Sequence, residues 1–224
     1  MKIKGAVFDM DGTLIDSLAF WEGYWKRLGK AYFNNERFVP DKQVDAAVRS
    51  LTFVDAQKLI KSFYHLDVTD EEFRRFSNGG VLDFYKNEVT VKDGVFAFLE
   101  HLKAQGIQTC IASATQMHVI RFALANLGLD KYFDFVFSCD DIGKSKDVPD
   151  IYLLSRDALG LREEEICVFE DSYVALQTAK RAGFLTVGIY DAKNFRQDLL
   201  AASADIYLDQ GHSWEELIDQ IEVQ

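Results

Sequence analysis

Two acidic residues follow the first apolar segment of the chain, at the point where a buried strand would end. Residues 3–8 (Ile-Lys-Gly-Ala-Val-Phe) have the composition of such a strand, and residues 9–13 (Asp-Met-Asp-Gly-Thr) come next. A carboxylate can act as a nucleophile, and a second carboxylate two residues away can transfer protons. An EF-hand loop also uses closely spaced aspartates, but its glycine stands sixth, whereas Gly12 stands fourth when Asp9 is counted first. The alternative to a reaction centre is a turn in which Asp9 and Asp11 only cap a helix.

Polar side chains also follow the later strand-like segments. In chain order they are Ser113 after residues 107–112, Lys144 and Lys146 beyond residues 135–137, and Glu170 and Asp171 after residues 166–169. Because the carboxyl ends of parallel strands converge on one crevice, we expect these groups to face the same site as the two aspartates. Carboxylates crowded together need a neutralising cation, and the hard ion Mg²⁺ prefers oxygen ligands. Taken singly, Ser113 could be a simple helix cap, and Glu170 and Asp171 could belong to a helix N-terminus. The whole set predicts a metal-assisted reaction centre.

The order of apolar segments predicts an α/β fold. From about residue 92 onward, strand-like segments alternate with helical ones, which is typical of a Rossmann-like, doubly wound parallel sheet. A last helix is expected over Trp214–Ile221. Residues 17–82, by contrast, show helical spacing and contain no convincing strand. We therefore predict a core of residues 1–16 and 88–224, with a small all-helical cap domain of residues 17–87 inserted into it.

The composition favours a globular protein that does not bind polyanions. Of 224 residues, 48% are apolar, which is enough to bury a core, and the formal net charge of -11 repels nucleic acid and anionic membranes. The N-terminus has no leader-like pattern and no apolar run reaches about 18 residues, so we expect a cytoplasmic protein. Cys110, Cys139 and Cys167 show no C-x-x-C spacing and are expected to be reduced core residues.

Four short motifs carry a family resemblance. They are Asp-Met-Asp-Gly-Thr at 9–13, Ala-Ser-Ala at 112–114, Ser-Lys-Asp-Val-Pro-Asp at 145–150 and Phe-Glu-Asp-Ser at 169–172. In type and order they resemble the motifs of phosphatases of the haloacid dehalogenase superfamily. The insertion between the first and second motifs is similar to that of the helical-cap branch, which contains β-phosphoglucomutase and phosphoglycolate phosphatase.

The resemblance implies a role for each motif residue. Asp9 is the expected nucleophile and a metal ligand, while Asp11 is the expected general acid/base and offers its backbone carbonyl to the metal. Asp171 is expected to bind Mg²⁺, and Glu170 to bind it directly or through water. The expected phosphate-binding groups are Ser113, the backbone N–H of Ala114, and Lys146, which is preferred over Lys144 because it precedes the Pro-Asp pair by the family's spacing.

The expected reaction is hydrolysis of a small phosphomonoester, such as a sugar phosphate, a phosphoglycolate-like acid or a nucleotide. Asp11 favours this reaction over dehalogenation, because a leaving alkoxide must be protonated and a leaving halide need not be. A phosphomutase is the alternative, but Trp21 stands where β-phosphoglucomutase has a hinge histidine. A catalytically idle binding protein on the same fold is the second alternative. Arg49 and Trp21 are candidate substrate-specificity residues, and we expect a monomer.

Overall fold

The structure is a computed structural model that describes residues 2–48 and 51–223. Within them the strands are, in chain order, β1 (Lys2–Ile3), β2 (Gly5–Phe8), β3 (Ile15–Asp16), β4 (Thr90–Val91), β5 (Gln108–Ser113), β6 (Phe135–Ser138), β7 (Ile166–Glu170), β8 (Leu185–Ile189), β9 (Ile206–Leu208) and β10 (Glu222–Val223). The helices are α1 (Ala19–Phe33), α2 (Lys42–Val48), α3 (Phe53–Phe63), α4 (Asp70–Asn78), α5 (Val81–Asn87), α6 (Val95–Ala104), α7 (Met117–Leu127), α8 (Cys139–Ile142), α9 (Asp150–Leu159), α10 (Tyr173–Arg181) and α11 (Gln197–Ser203).

A six-stranded parallel sheet in the order β6-β5-β2-β7-β8-β9 forms the centre of the molecule. The first strand of this sheet along the chain is β2; β5 and β6 are then added on one side, and β7, β8 and β9 on the other. The strand order therefore reverses between β2 and β7, and a crevice opens there beyond the carboxyl ends of the strands. This topology confirms the predicted doubly wound α/β fold.

Both faces of the sheet are covered, as the apolar strand sequences require. On β2, Ala6 and Phe8 belong to one hydrophobic cluster and Val7 to another. Likewise on β5, Ile111 faces the first cluster while Cys110 and Ala112 face the second. Alternate side chains of a strand point to opposite faces, so a strand that is apolar at every position is buried on both.

The helices α1 to α5 lie between β3 and β4 in the chain and form the predicted helical insertion. Helices α1 to α4 share a hydrophobic cluster of their own, which includes Tyr24, Leu28, Ile60 and Phe73. The apolar side of α5, by contrast, belongs to a cluster of the central sheet. The domain boundaries at residues 16–17 and 87–88 stay predictions.

Two short antiparallel strands connect the insertion to the sheet. Ile15 of β3 pairs with Val91 of β4, and Asp16 pairs with Thr90. This pairing brings together the segments by which the chain enters and leaves the helical insertion. It was not predicted, because two-residue strands carry no recognisable periodicity.

Two predicted elements differ in the structure. Residues 3–8 do not form one strand: the chain bends at Lys4, whose N–H donates to the Glu165 carbonyl at 2.8 Å, and β1 pairs with β10 outside the main sheet. The predicted helix Trp214–Ile221 is wrong beyond its first turn, because a 3₁₀ helix spans only Trp214–Leu217. The buried Trp214 and Leu217 are three residues apart, which suits three residues per turn, and the chain must then extend to pair β10 with β1.

Helix α11 was also absent from the prediction. Its seven residues bury Leu200 alone, which is too weak a pattern to predict a helix. Of the described helices, none has both the length and the apolar character needed to cross a bilayer. The three cysteines are buried and unpaired, as predicted.

Candidate active site

The loop of residues 9–13 begins where β2 ends. The N–H of Asp9 donates to the Phe169 carbonyl of β7 at 3.0 Å, so the first aspartate still continues the sheet ladder. The loop then reverses through Gly12, whose φ of +84° favours glycine. A Cβ at Gly12 would lie 2.3 Å from Oδ2 of Asp171, so the backbone approaches the neighbouring carboxylate closely. This position therefore needs glycine for its conformation and for its lack of a side chain.

Three buried carboxylates meet at the point where the strand order reverses. Asp9 follows β2, Glu170 is the last residue of β7, and Asp171 comes next. One oxygen from each lies within 4.8 Å of the others. Oxygen donors in a compact, buried group suit a hard divalent cation, so these three side chains could hold a metal ion.

The carboxylate cluster is electrostatically crowded. Burial raises the pKa of Glu170 to about 7, with Asp9 adding to the shift and Lys146 opposing it. Burial, followed by the charges of Asp9 and Glu170, raises the pKa of Asp171 well above its usual range. A bound cation would offset this repulsion among the three carboxylates. Raised carboxylate pKa values are therefore what a metal site shows when no ion is bound.

Lys146 is the cation that the chain itself places in this cluster. Its Nζ lies 2.5 Å from Oδ1 of Asp9 and 2.5 Å from Oε1 of Glu170, and the side chain is 5% exposed. Burial opposes its charge, but the two carboxylates outweigh burial and raise the pKa of Lys146 well above its usual value. Lys144, the competing candidate, pairs instead with Asp150 and is 54% exposed.

Asp11 lies in the same crevice as the three carboxylates but apart from them, and hydroxyl groups surround its side chain. Its Oδ1 accepts hydrogen bonds from Ser17 at 2.7 Å and from Tyr85 at 2.5 Å. Its Oδ2 accepts one from Thr115 at 2.7 Å, and Ser113 lies 3.5 Å away. Burial and then the charge of Asp9 raise the pKa of Asp11, and the hydroxyl donors partly offset this rise.

Hydrogen bonds from neighbouring side chains hold Asp171 and Glu170 in place. Thr13 donates to Oδ1 of Asp171 at 3.2 Å, and Asn194 donates to Oδ2 at 2.6 Å. The hydroxyl of Tyr152 donates to Oε1 of Glu170 at 3.2 Å. These contacts leave each carboxylate in one orientation, which a metal-ligand group requires.

A cavity of about 230 Å³ joins these groups to the helical insertion. On the sheet side it is lined by Asp9, Asp11, Ser113, Ala114, Lys146, Glu170 and Asp171. On the other side its walls include Trp21 of α1 and Phe53 of α3. Every described residue predicted for the site thus lies on one cavity. Arg49, the remaining candidate, lies outside the described residues.

Several residues at the site were missed by the sequence prediction. Ser17, Tyr85 and Thr115 contact Asp11, while Asn194 contacts Asp171. Thr115 stands two residues beyond Ser113, so its place after β5 was a usable signal. Tyr85 and Asn194 carried no such signal, because they lie in segments distant from every motif.

Comparison with known proteins identifies the family. Residues 3–183 match the sequence profile of haloacid dehalogenase-like hydrolases. A phosphorylated carbohydrates phosphatase of Thermotoga maritima is 28% identical over 212 residues, covering 90% of this chain and 92% of the relative. A validoxylamine A 7'-phosphate phosphatase of Streptomyces hygroscopicus subsp. limoneus is 30% identical over 190 residues, covering 83% of this chain and 85% of the relative.

Solved structures agree with this assignment at the level of the fold. The β-phosphoglucomutase of Clostridium difficile superposes with a TM-score of 0.76 at 19% identity, covering 97% of this chain and 96% of that one. The profile match spans most of the chain and includes all four motifs. The chain therefore belongs to the haloacid dehalogenase-like hydrolases.

Proposed function

We propose that this protein is a Mg²⁺-dependent phosphatase, a phosphoric monoester hydrolase that acts on a small phosphorylated metabolite through an aspartyl-phosphate intermediate. The observation that carries the proposal is the setting of Asp9. Its carboxylate lines the cavity, contacts Lys146 and belongs to the cluster with Glu170 and Asp171. A nucleophile beside a metal-ligand group and a fixed ammonium group suits transfer of a phosphoryl group.

In the first step, a carboxylate oxygen of Asp9 attacks the phosphorus of the substrate. The phosphorus–oxygen ester bond breaks and its electron pair goes to the leaving oxygen, which takes a proton from Asp11. The alcohol leaves, and the phosphoryl group stays on Asp9. Asp11 suits this role because its raised pKa favours the protonated form that an acid needs.

In the second step, water attacks the phosphorus of the aspartyl-phosphate. Asp11, now a carboxylate, takes a proton from that water, and the bond between phosphorus and the Asp9 oxygen breaks. Inorganic phosphate leaves, and both aspartates return to their starting state. Lys146, the Ser113 hydroxyl and the backbone N–H of Ala114 would bind the phosphoryl oxygens throughout.

Asp9, Glu170, Asp171 and the backbone carbonyl of Asp11 would hold the Mg²⁺ ion. When bound, Mg²⁺ supplies positive charge to the phosphoryl oxygens and neutralises the buried carboxylates. The three clustered side chains offer only oxygen ligands, which suits this ion.

The substrate class is inferred from the relatives and the cavity. The names of the relatives include phosphatases of phosphorylated carbohydrates and of hexitols. They also include a nucleotidase for GMP and IMP and a phosphoglycolate phosphatase. All of these names refer to small phosphorylated molecules, and a cavity of about 230 Å³ suits that size.

The test is release of inorganic phosphate from a panel of sugar phosphates, nucleotides and phosphoglycolate, with Mg²⁺ and with EDTA. We expect turnover with Mg²⁺, none with EDTA, and none for Asp9→Asn with Mg²⁺. Turnover that persists in Asp9→Asn would contradict the proposed nucleophile. Full turnover in Asp11→Ala would contradict the proposed acid/base.

The same assay distinguishes the two alternatives. Conversion of glucose 1-phosphate to glucose 6-phosphate without phosphate release would indicate a phosphomutase. The described hydrogen bonds to Asp11 favour hydrolysis over the phosphomutase reaction. They all come from hydroxyl groups, and no histidine is among the donors. Mg²⁺ binding without either reaction would indicate an idle binding protein.

A further inference from the structure

Tyr85 differs from the other groups that donate to Asp11, because its hydroxyl sits at the end of a rigid, buried ring. The side chain is 6% exposed, and its Oη lies 2.5 Å from Oδ1 of Asp11. A phenol keeps its proton near neutral pH, so the Tyr85 hydroxyl donates to the carboxylate of Asp11. Ser17 and Thr115 also contact Asp11, but their hydroxyls rotate freely and can donate or accept.

The ring of Tyr85 is anchored on the sheet side of the cavity. Tyr85 and Val81 of α5 belong to the hydrophobic cluster that also contains Phe8 of β2. The backbone carbonyl of Tyr85 accepts a hydrogen bond from Asn126 of α7 at 3.4 Å. Helices α1 to α4 form a different cluster, so the position of the Tyr85 hydroxyl depends chiefly on how α5 packs on the core.

The hydrogen bonds to Asp11 are distributed unevenly between its two oxygens. Oδ1 accepts two short hydrogen bonds, from Tyr85 and Ser17, whereas Oδ2 accepts one short hydrogen bond from Thr115 and a long one of 3.5 Å from Ser113. A protonated carboxyl group carries its proton on one oxygen, and an oxygen that already accepts two short hydrogen bonds is the worse position for it. Thr115 can rotate its hydroxyl to accept from a protonated Oδ2, while Tyr85 continues to donate to Oδ1.

We infer that Tyr85 is a positioning residue for the acid/base, and that it acts by holding Oδ1 of Asp11 so that Oδ2 carries the transferable proton. The inference rests on the proposed role of Asp11 in phosphate-ester hydrolysis. In the step concerned, the Oδ2–H bond breaks and the proton goes to the leaving oxygen. At the same time, the phosphorus–oxygen ester bond breaks, its electron pair passes to that oxygen, and phosphorus bonds to Asp9.

The basicity of the leaving group supplies a readout that a structural defect would not move. The value of kcat/KM covers the steps up to departure of the alcohol, and a basic alkoxide needs proton donation far more than 4-nitrophenolate does. We therefore compare 4-nitrophenyl phosphate, phenyl phosphate and benzyl phosphate. For Tyr85→Phe we expect kcat/KM to fall about 10- to 100-fold with benzyl phosphate and less than about 3-fold with 4-nitrophenyl phosphate.

Two further variants complete the experiment. Tyr24→Phe is the matched control, because Tyr24 is a buried tyrosine whose hydroxyl pairs with Ser77 at 3.0 Å, away from Asp11. Tyr24→Phe should lower the unfolding temperature about as much as Tyr85→Phe does. It should leave the dependence of kcat/KM on the leaving group unchanged. Asp11→Asn is the reference variant, because it shows how kcat/KM depends on the leaving group when no acid donates the proton. Adding Tyr85→Phe to Asp11→Asn should then cause no further steepening, since Tyr85 acts through Asp11.

The outcomes separate the inference from the proposed function. If Tyr85→Phe lowers kcat/KM equally for all three esters, or leaves all three unchanged, Tyr85 does not position the acid, although the phosphatase assignment stands. If Asp11→Asn itself shows the wild-type dependence on the leaving group, the proposed role of Asp11 fails, and the inference about Tyr85 fails with it.

Discussion

The backbone N–H of Phe53 donates a hydrogen bond to the Asp140 carboxylate across 2.9 Å. Phe53 is the first residue of α3 in the helical insertion, and Asp140 lies on α8, directly after β6 of the sheet. Burial raises the pKa of Asp140, and the N–H groups of Phe53 and Val54 oppose that rise because they bond to the charged form. The Asp140 carboxylate of the core thus accepts from the N-terminal, positive end of helix α3. Phe53, which donates this hydrogen bond, also lines the cavity.

Removing the hydrogen bond between Phe53 and Asp140 should raise KM more than it lowers kcat. We expect Asp140→Ala to raise KM about 3- to 10-fold and to change kcat by less than about 3-fold, since a hydrogen bond of this kind contributes about 1–2 kcal/mol. The measurement is steady-state phosphate release with the best ester of the panel. Asp141→Ala is the control, because Asp141 is the exposed neighbour on the same short helix. An equal KM in both variants would show that the contact does not hold the insertion over the site.

Gly12 is required for its backbone conformation and for its close approach to Asp171. Gly12→Ala should therefore reduce kcat/KM by more than about 10-fold, because the new Cβ displaces a carboxylate of the cluster. Gly106→Ala separates the two effects, since Gly106 has a φ of +73° but no atom within 4 Å of a Cβ placed there. The control should lose about 1–2 kcal/mol of unfolding free energy and keep its activity. Equal activity in the two variants would contradict the role assigned to the close approach.

Lys146 should stabilise the metal-free protein strongly, because its ammonium group pairs with two buried carboxylates. We expect Lys146→Met to lower the free energy of unfolding in EDTA by about 3–5 kcal/mol, since Asp9 and Glu170 would be left without their cation. Denaturant unfolding at pH 8 measures this loss. Lys144→Met removes an exposed ion pair of the same loop and should cost less than about 1 kcal/mol. Similar losses in the two variants would rule out the buried ion pair as a stabilising contact.

The carboxylate cluster should make the stability of the metal-free protein fall as the pH rises. The pKa of Glu170 is raised from 4.5 to about 7 in the folded state, so the folded protein binds more protons than the unfolded chain between these values. The contribution of Glu170 is therefore fully present below pH 4.5 and is lost as the pH rises to about 7.

Unfolding in EDTA across this pH range tests the expectation, with Glu170→Gln as the comparison. The variant should show a shallower slope, and the remaining slope should come from Asp171 and Asp11, whose pKa values are also raised. Mg²⁺ should restore stability at pH 7 and above, by about 2.7 kcal/mol at a hundredfold excess over its dissociation constant. If the free energy of unfolding in EDTA instead rises with pH, the repulsion inferred among the buried carboxylates is wrong.

Local apolar patterns were enough to predict the parallel sheet and the residues at the ends of its strands. Apolar segments mark buried strands wherever they occur in the chain, and a polar residue just beyond such a strand must lie at the carboxyl end of the sheet. The cavity positions of Asp9, Ser113 and Glu170 could therefore be predicted without knowledge of the strand order. The roles assigned to these residues remain proposals that the experiments above address.

The distant side chains that complete the site are selected by contacts between segments far apart in the chain. Tyr85 lies in a segment distant from every motif, and it reaches Asp11 only because α5 packs on the core of the sheet. The contact of Asp140 with Phe53 joins residues 87 positions apart, and no local pattern relates them. The end of the helix at Leu217 likewise depends on the pairing of β10 with β1. Local periodicity specifies which side of an element is buried, whereas the partner of that side is set by packing between segments that the chain brings together only on folding.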